Sequence, residues 1–295
     1  MKDDLVVSVG IPSYNRPEEL CRTLECFTRQ TYTNLDIIVS DNCSLSPKVM
    51  DICKTFAQND NRITCFQQNT NIGGTANFQF VLDKARGDYF MWVDDEDEWD
   101  ETYIEKCLNG FNQDPNIVLV SSLCDMKDTE NPSNDFFYDS YSNIWKNTDE
   151  RVLEISRIAV SGRKKIAYLI NGVFKREAIT GIQIKEVIGA DLLFLVNVSL
   201  YGTFYTVPEL LHTKKGVTKN IDDYIKYFNT NNISLHTIHP YLPYFCGIIR
   251  LFFHEKRFSA RFRIIAISKL CILFIIRTIR LLPKFLRYKI TGNLI

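Results

Sequence analysis

GDYFMWVDDEDEW, residues 87–99, begins apolar and ends in charge. Tyr89 to Asp94 has the aromatic and β-branched content of a strand, apolar almost throughout, as strands covered on both faces of a sheet tend to be. A run of consecutive carboxylates closes it: Asp94, Asp95, Glu96 and Asp97, with Glu98 directly after them. Packing that much negative charge together is costly unless water or a cation neutralises it. A hard divalent ion does this with oxygen ligands, one or two protein carboxylates and substrate phosphates. The other solution is an acidic strand-to-helix turn in which Asp97 or Asp100 caps the next helix. The stretch alone does not choose between them.

Working outward, short runs rich in Val, Ile and Phe predict further strands at 5–12, 35–42, 63–67 and 117–123. Helical patterns fall between them at 17–30, 48–58, 76–85 and 101–111. The alternation implies an α/β fold, a mostly parallel sheet flanked by helices. Such sheets bind ligands at the carboxyl ends of their strands. The polar residues collect there: Pro12-Ser-Tyr-Asn-Arg16 after the first strand, Asp41-Asn42 after the second, and the acid run after the fourth. Residues 125–150, rich in Asn, Asp and Ser, read as a long loop. Beyond them, 163–169 and 191–200 read as helical, and 172–176 and 203–207 as short strands.

The chain has 295 residues, 35 basic and 35 acidic, for a formal net charge of zero. That balance argues against a nucleic-acid partner and hides an asymmetry. Between Arg250 and Lys289 stand eleven Lys or Arg and one acid, Glu255, leaving 24 basic and 34 acidic residues elsewhere. An acidic body of net −10 thus carries a basic tail of net +10, a split that points to a separate partner for the tail. Within it, residues 264–276 are nearly all apolar, short of the roughly 20 residues that span a bilayer. Basic residues recurring among large apolar ones suit a helix lying on a membrane surface, with Pro283 interrupting the pattern. A core or dimer helix with a solvated basic face is the alternative. The expected division is a catalytic domain over 1–245 and a basic, amphipathic helical region over 246–295.

Nine cysteines, an odd number without CxxC pairs, favour a reducing compartment and no zinc site. Met1-Lys-Asp-Asp leads straight into the first strand with no apolar signal region. No phosphate-binding GxxxxGK[ST] loop is present, and Gly73-Gly74 is no dinucleotide fingerprint, so kinase and Rossmann dehydrogenase readings fall away.

Three stretches carry a resemblance. VSVGIPSYNRPEELCRTLECFTRQTY at 7–32, IIVSDNCS at 37–44 and NTNIGGTANFQFVLDKARGDYFMWVDDEDEW at 69–99 occur in the order and spacing of family-2 glycosyltransferases. The resemblance covers about the first 215 residues and implies a GT-A-like fold. It places Pro12, Tyr14 and Arg16 along the nucleotide pocket and Asp41 at the base. It sets Asp94 and Asp95 on the nucleotide-sugar donor, with Asp95 toward the ribose. Glu96 is the implied holder of Mg2+ or Mn2+, in a position where the family usually has Asp, with Asp97 able to substitute and His212 a further ligand. Lys214 would offset phosphate charge. Asp191, before the apolar run LLFLVNVSL, is the implied general base, although Ala190 stands where a first acid is usual; from the residues alone, Asp191 could equally cap that helix.

The expected activity is therefore metal-assisted, inverting transfer of a sugar from a nucleotide-diphosphate donor to a hydroxyl acceptor, a saccharide or lipid-linked saccharide. The expected setting is cytoplasmic, peripheral on the inner face of the cell membrane, in surface polysaccharide assembly such as O-antigen or capsule. Two rivals stand beside it. A sugar nucleotidyltransferase would want a Gly-rich basic loop where PSYNRPEE stands. A scaffold that kept the fold and lost catalysis would explain Glu96 and Ala190.

Overall fold

Val7–Ser13, the first strand (β1), is buried at every position, its apolar residues in the core and its two serines hydrogen-bonded to Asp36 and Asp95. The computed structural model describes residues 5–144, 146–162, 166–216 and 241–291, with the backbone alone at 282–291. Strands β2 (Leu35–Asp41), β3 (Ile63–Gln67) and β4 (Tyr89–Trp92) join β1 in parallel, in the order β3-β2-β1-β4. Helices α1 (Pro17–Thr28), α2 (Lys48–Asn59) and α3 (Gly74–Lys84) make the crossovers. The strand order reverses between β1 and β4, the position at which open α/β sheets bind ligands. Gly10 of β1 lets α3 approach this edge, since a Cβ there would lie 2.7 Å from Val81 Cγ2.

Past β4 the sheet turns mixed and runs β8-β6-β9-β5. Here β5 is Glu98–Trp99, β6 Ile117–Asp128, β8 Val173–Lys175 and β9 Thr203–Gly216. Strand β8 is antiparallel to both β4 and β6, β9 is parallel to β6, and β5 is antiparallel to β9. A short β7 (Phe136–Phe137) pairs with β6, and α4 (Tyr103–Gly110) follows β5.

Both long strands exceed the expectation. Strand β9 runs well past Val207, because Ser122 pairs with Val207 while the next residue, Leu123, pairs with Leu210. Pro208 and Glu209 are thus extruded as an exposed bulge, which breaks the sequence pattern without ending the strand. The continuation delivers His212 and Lys214. Strand β6 accordingly reaches Asp128, inside the stretch expected to be loop.

By its contacts the chain divides into two compact units, a division different from a single cut at 245. The first, Met1–Trp145, Ile166–Ile184 and Tyr201–Val217, holds the whole sheet. Its described part includes the 3₁₀ turn Ala167–Asn171, where a helix over 163–169 was expected, and the short helix α6, Arg176–Ile179; residues 163–165 lie outside the described residues.

The second unit, Lys146–Lys165, Lys185–Leu200 and Thr218–Ile295, is helical where described. Its helices are α5 (Thr148–Ser161), α7 (Ala190–Val198), α8 (Leu242–His254) and α9 (Ala260–Thr291). Asn147 caps α5 through its side chain, and Gly162 ends it at φ +62°. Buried Arg151 of α5 donates from Nε to the Ser199 carbonyl at 2.7 Å, a cation at the end of α7 where the helix dipole favours one. Phe245 of α8 stacks on Phe274 of α9 at 4.1 Å. The backbone of α9 stays helical through position 283, where the sequence predicted a break. Among the described residues, no helix is long and apolar enough to cross a membrane.

Candidate active site

The acid run leaves β4 as a tight turn in the first unit, closed by Asp97 N–H donating to the Asp94 carbonyl at 3.3 Å. Asp95 points back under β1. Its side chain accepts from Ser13 Oγ at 2.6 Å and from Arg16 Nη1 at 3.1 Å, while Thr23 Oγ1 donates to its carbonyl at 3.1 Å. Burial pushes the Asp95 carboxyl up to about 6, against the pull of Ser13 and Arg16. The same Arg16 nitrogen lies 3.0 Å from Glu96 Oε2, so one guanidinium at the start of α1 ties two acids to the end of β1.

Asp97 turns the other way, into the sheet. Its Oδ2 lies 2.8 Å from His212 Nε2 and 2.9 Å from Lys214 Nζ, and Oδ1 accepts from Lys215 N–H at 3.0 Å. Lys214 also donates to Asp94 Oδ2 at 2.6 Å and Asn171 Oδ1 at 3.0 Å, which engages its three N–H groups. His212 stacks on Trp99 with ring centroids 3.8 Å apart and 8° between planes. The protonation states follow. Burial opposes the charge on Asp97, yet Lys214 and His212 hold its carboxyl below the ordinary range. Burial opposes the charge on Lys214, and Asp94 and Asp97 hold it well above. For His212 burial prevails over the pull of Asp97, and its imidazole lies below the usual value.

Of the residues expected among the metal ligands, Asp97 therefore spends both carboxylate oxygens on His212, Lys214 and Lys215, and His212 spends Nε2 on Asp97. Among the described residues, no group of three His, Cys, Asp or Glu side chains is arranged to hold a metal. Asp94 and Glu96 are the partly exposed acids, and each has one carboxylate oxygen that accepts no hydrogen bond from the described residues. Two hard oxygen donors fit an ion that takes its other ligands from water and phosphate.

The other expected contacts lie along the ends of β1 and β2. Pro12 is buried within β1 and Tyr14 is 39% exposed just beyond it. Asp41, fully buried at the end of β2, accepts from Ser44 N–H at 3.0 Å, from the Ser44 hydroxyl, and from Gln67 Nε2 at 3.3 Å. Asn15, at φ +58°, accepts from Leu45 N–H and donates its own N–H to Ser44 Oγ, both at 2.8 Å. Asn42 accepts from Ile72 N–H at 2.9 Å. The loops after β1, β2 and β3 are thus fastened into one polar rim beside Tyr14.

Seven expected residues form one cluster: Arg16, Asp94, Asp95, Glu96, Asp97, His212 and Lys214. Asp191 belongs to the second unit, in the first turn of α7. Gly189 precedes that helix at φ +84°, where a side chain would be strained. Sequence reasoning missed Ser13, Trp99, Lys215 and Asn171 as members of the site. Ser13 lay within a quoted motif, whereas a lone Asn in a 3₁₀ turn carries no signal.

Comparison with known proteins places these motifs. The family model described as Glycosyl transferase family 2 matches residues 8–167, more than half of the chain. A putative colanic acid biosynthesis glycosyl transferase, WcaA of Escherichia coli K12, is 34% identical over 99 residues, 34% of this chain and 35% of its own length. The amylovoran biosynthesis glycosyltransferase AmsB of Erwinia amylovora is 30% identical over 107 residues, 36% of each chain. The chain thus spans only about a third of the length of these two relatives. Among solved structures, Staphylococcus aureus TarS 1–349 in complex with UDP-GlcNAc superposes with a TM-score of 0.63 at 13% identity, over 98% of this chain and 77% of that one. The mannosyltransferase PcManGT of Pyrobaculum calidifontis, in complex with GDP-Man and Mn2+, gives 0.51 at 13% identity, over 92% and 86%. Likeness at that identity establishes the shared GT-A-like fold.

Proposed function

The chain belongs to glycosyl transferase family 2, and from that premise we propose that it moves one sugar, with inversion, from a nucleotide-diphosphate donor to a hydroxyl acceptor. The observation that carries this reading is the acid turn at the β1/β4 switch point, bound by Arg16 and Lys214 and open at Asp94 and Glu96. Asp94 and Glu96 would hold Mg2+ or Mn2+, whose charge offsets that of the departing diphosphate. Lys214 and Arg16 add positive charge beside it, and Ser13 and Arg16 fix Asp95 for the ribose side of the donor. Tyr14 and the rim around Asp41 receive the base, with Pro12 setting the end of β1 beneath them.

Asp97 and His212 act through Lys214. They hold its ammonium in place against the cost of burial, with Trp99 bracing the imidazole. Asp191 takes the proton from the acceptor hydroxyl, a role supported by its motif before an apolar helix. The acceptor proposed is a lipid-linked saccharide at the inner face of the cell membrane. Two relatives named for colanic acid and amylovoran biosynthesis support a place in surface polysaccharide assembly.

The test is calorimetric titration with a panel of nucleotide diphosphates, with and without Mn2+, followed by transfer assays. One nucleotide should bind more tightly with the metal, and Glu96→Gln should remove that gain. Asp191→Asn should lower transfer by about 10²- to 10⁴-fold, the usual weight of a positioned base, and leave donor binding intact. Normal transfer by Asp191→Asn ends the base assignment. A donor-binding scaffold is the second reading, favoured by the Lys214 ammonium already seated between Asp94 and Asp97; turnover of the bound donor excludes it.

A further inference from the structure

In the second unit, α9 buries Ala266 and Leu270 and turns the opposite face outward. That outer face is built of isoleucine. Ile264, Ile265, Ile272, Ile275, Ile276 and Ile279 are between 39% and 68% exposed and recur at the three- and four-residue spacing of one helix side. Isolated exposed apolar residues need no explanation, but a contiguous stripe marks a surface that meets something apolar.

The charges around it say what. Of the tail's basic residues, three serve the fold. Arg257 pairs with Glu255, Arg263 donates to the Phe253 and Glu255 carbonyls, and Arg277 donates to the Ala159 and Val160 carbonyls. Arg250, Lys256, Arg261, Lys269 and Arg280 are exposed and pair with no acid among the described residues. At the edge of the stripe, Arg157 of α5 and Lys269, Ile272 and Leu273 of α9 line a groove of about 260 Å³. Arg157, also exposed, has no acid partner among the described residues either. An apolar floor beside two unanswered cations matches a lipid: acyl carbon below, headgroup phosphate at the rim.

We propose that the isoleucine face of α9 docks flat on an anionic lipid surface, with a headgroup phosphate between Arg157 and Lys269. The helix lies in the plane of the interface and does not cross it, as its interspersed charges require. This docking is independent of the chemistry assigned to the first unit.

The test is flotation of the full chain with phosphatidylcholine vesicles, with and without phosphatidylglycerol. The chain should float only with the anionic vesicles, and less at high salt. Two variants change exposed residues only, so the fold is spared and melting temperature checks it. Ile272→Gln/Ile275→Gln/Ile279→Gln should abolish flotation, and Arg157→Gln/Lys269→Gln should weaken it about tenfold or more, at about 1 kcal/mol per cation near an anionic leaflet. Nucleotide binding, read on the same samples, should be unchanged, which separates failure of docking from failure of the proposed reaction. The proposal is overturned if the triple variant floats like the parent, or if flotation ignores lipid charge. It is also overturned if the parent ignores vesicles and instead dimerises in sedimentation velocity through the same isoleucines.

Discussion

At the end of β4, charged side chains are buried and answered; along the outer face of α9, apolar side chains are exposed and cations stand unanswered by any acid among the described residues. Both regions depart from the ordinary arrangement, in opposite directions. The acid turn keeps its charges inside by giving each a partner: Ser13 and Arg16 for Asp95, His212 and Lys214 for Asp97. Such a network is costly to assemble and more costly to break, because the remaining partner is left charged and dry. The α9 face has no such network among the described residues, and its isoleucines gain nothing from water. A pattern of internal satisfaction marks groups held ready for chemistry, and a pattern of dissatisfaction marks a surface awaiting a partner.

The hardest blow to the first pattern is Lys214→Met. It keeps the side chain's length and removes the ammonium that Asp94 and Asp97 share. Breaking a buried pair from one side costs about 3–5 kcal/mol, and a value near 3 is expected, since Lys214 is 19% exposed. Urea unfolding at pH 7 measures it. The pH dependence has a sign. Asp97, held below the ordinary carboxylate range, contributes stability that is present above about pH 4, the unfolded value, and is lost as the pH falls through its folded value. The variant lacks the main source of that depression, so the gap from the parent should narrow in acid. A gap that is constant with pH would mean that Lys214 does not govern the charge of Asp97.

His212→Phe sharpens the same point at smaller scale. It preserves the stacking surface against Trp99 and deletes only the bond to Asp97. A lost partner for a buried polar group costs about 1–3 kcal/mol. With Lys214 still in place, a loss of about 1–2 kcal/mol in urea unfolding is expected, together with weaker donor binding. Unchanged binding would reduce the imidazole to packing.

These two residues also show where the sequence was legible. The parallel half of the sheet could be read because its strands are rich in apolar residues and bounded by helical patterns. The acid run could be read because an unbroken row of carboxylates demands an explanation. What could not be read was direction. Asp94 and Glu96 face outward and Asp97 faces inward, and adjacent letters do not say which. The bulge at Pro208-Glu209 hid the continuation of β9, so His212 and Lys214 were found by resemblance and not by strand pattern. Asn171 reaches Lys214 only because a 3₁₀ turn precedes β8. In the tail, eleven basic residues gave a net charge but not its division into cations that brace the fold and cations that face out.

Glu255 tests that division with the smallest effect. It is the single acid between Arg250 and Lys289, and it sits at the α8–α9 corner. Arg257 Nε and Nη2 donate to its two oxygens at 2.8 and 2.9 Å. Those hydrogen bonds draw its carboxyl down to about 2. A depressed carboxylate contributes stability that is fully present above its unfolded value, about 4.3 for glutamate, and is lost as the pH falls toward 2. Arg257 is 49% exposed, so solvent screens the pair and its worth is about 0.5–1 kcal/mol. Glu255→Gln should therefore melt slightly below the parent at pH 7, with the gap shrinking below about pH 4 and closing only as the pH reaches about 2, and with vesicle flotation unimpaired. If instead the substitution weakened flotation as much as Arg157→Gln/Lys269→Gln, the bracing and outward-facing cations would be one set, and the contrast between a corner built for the fold and a face built for lipid would fail.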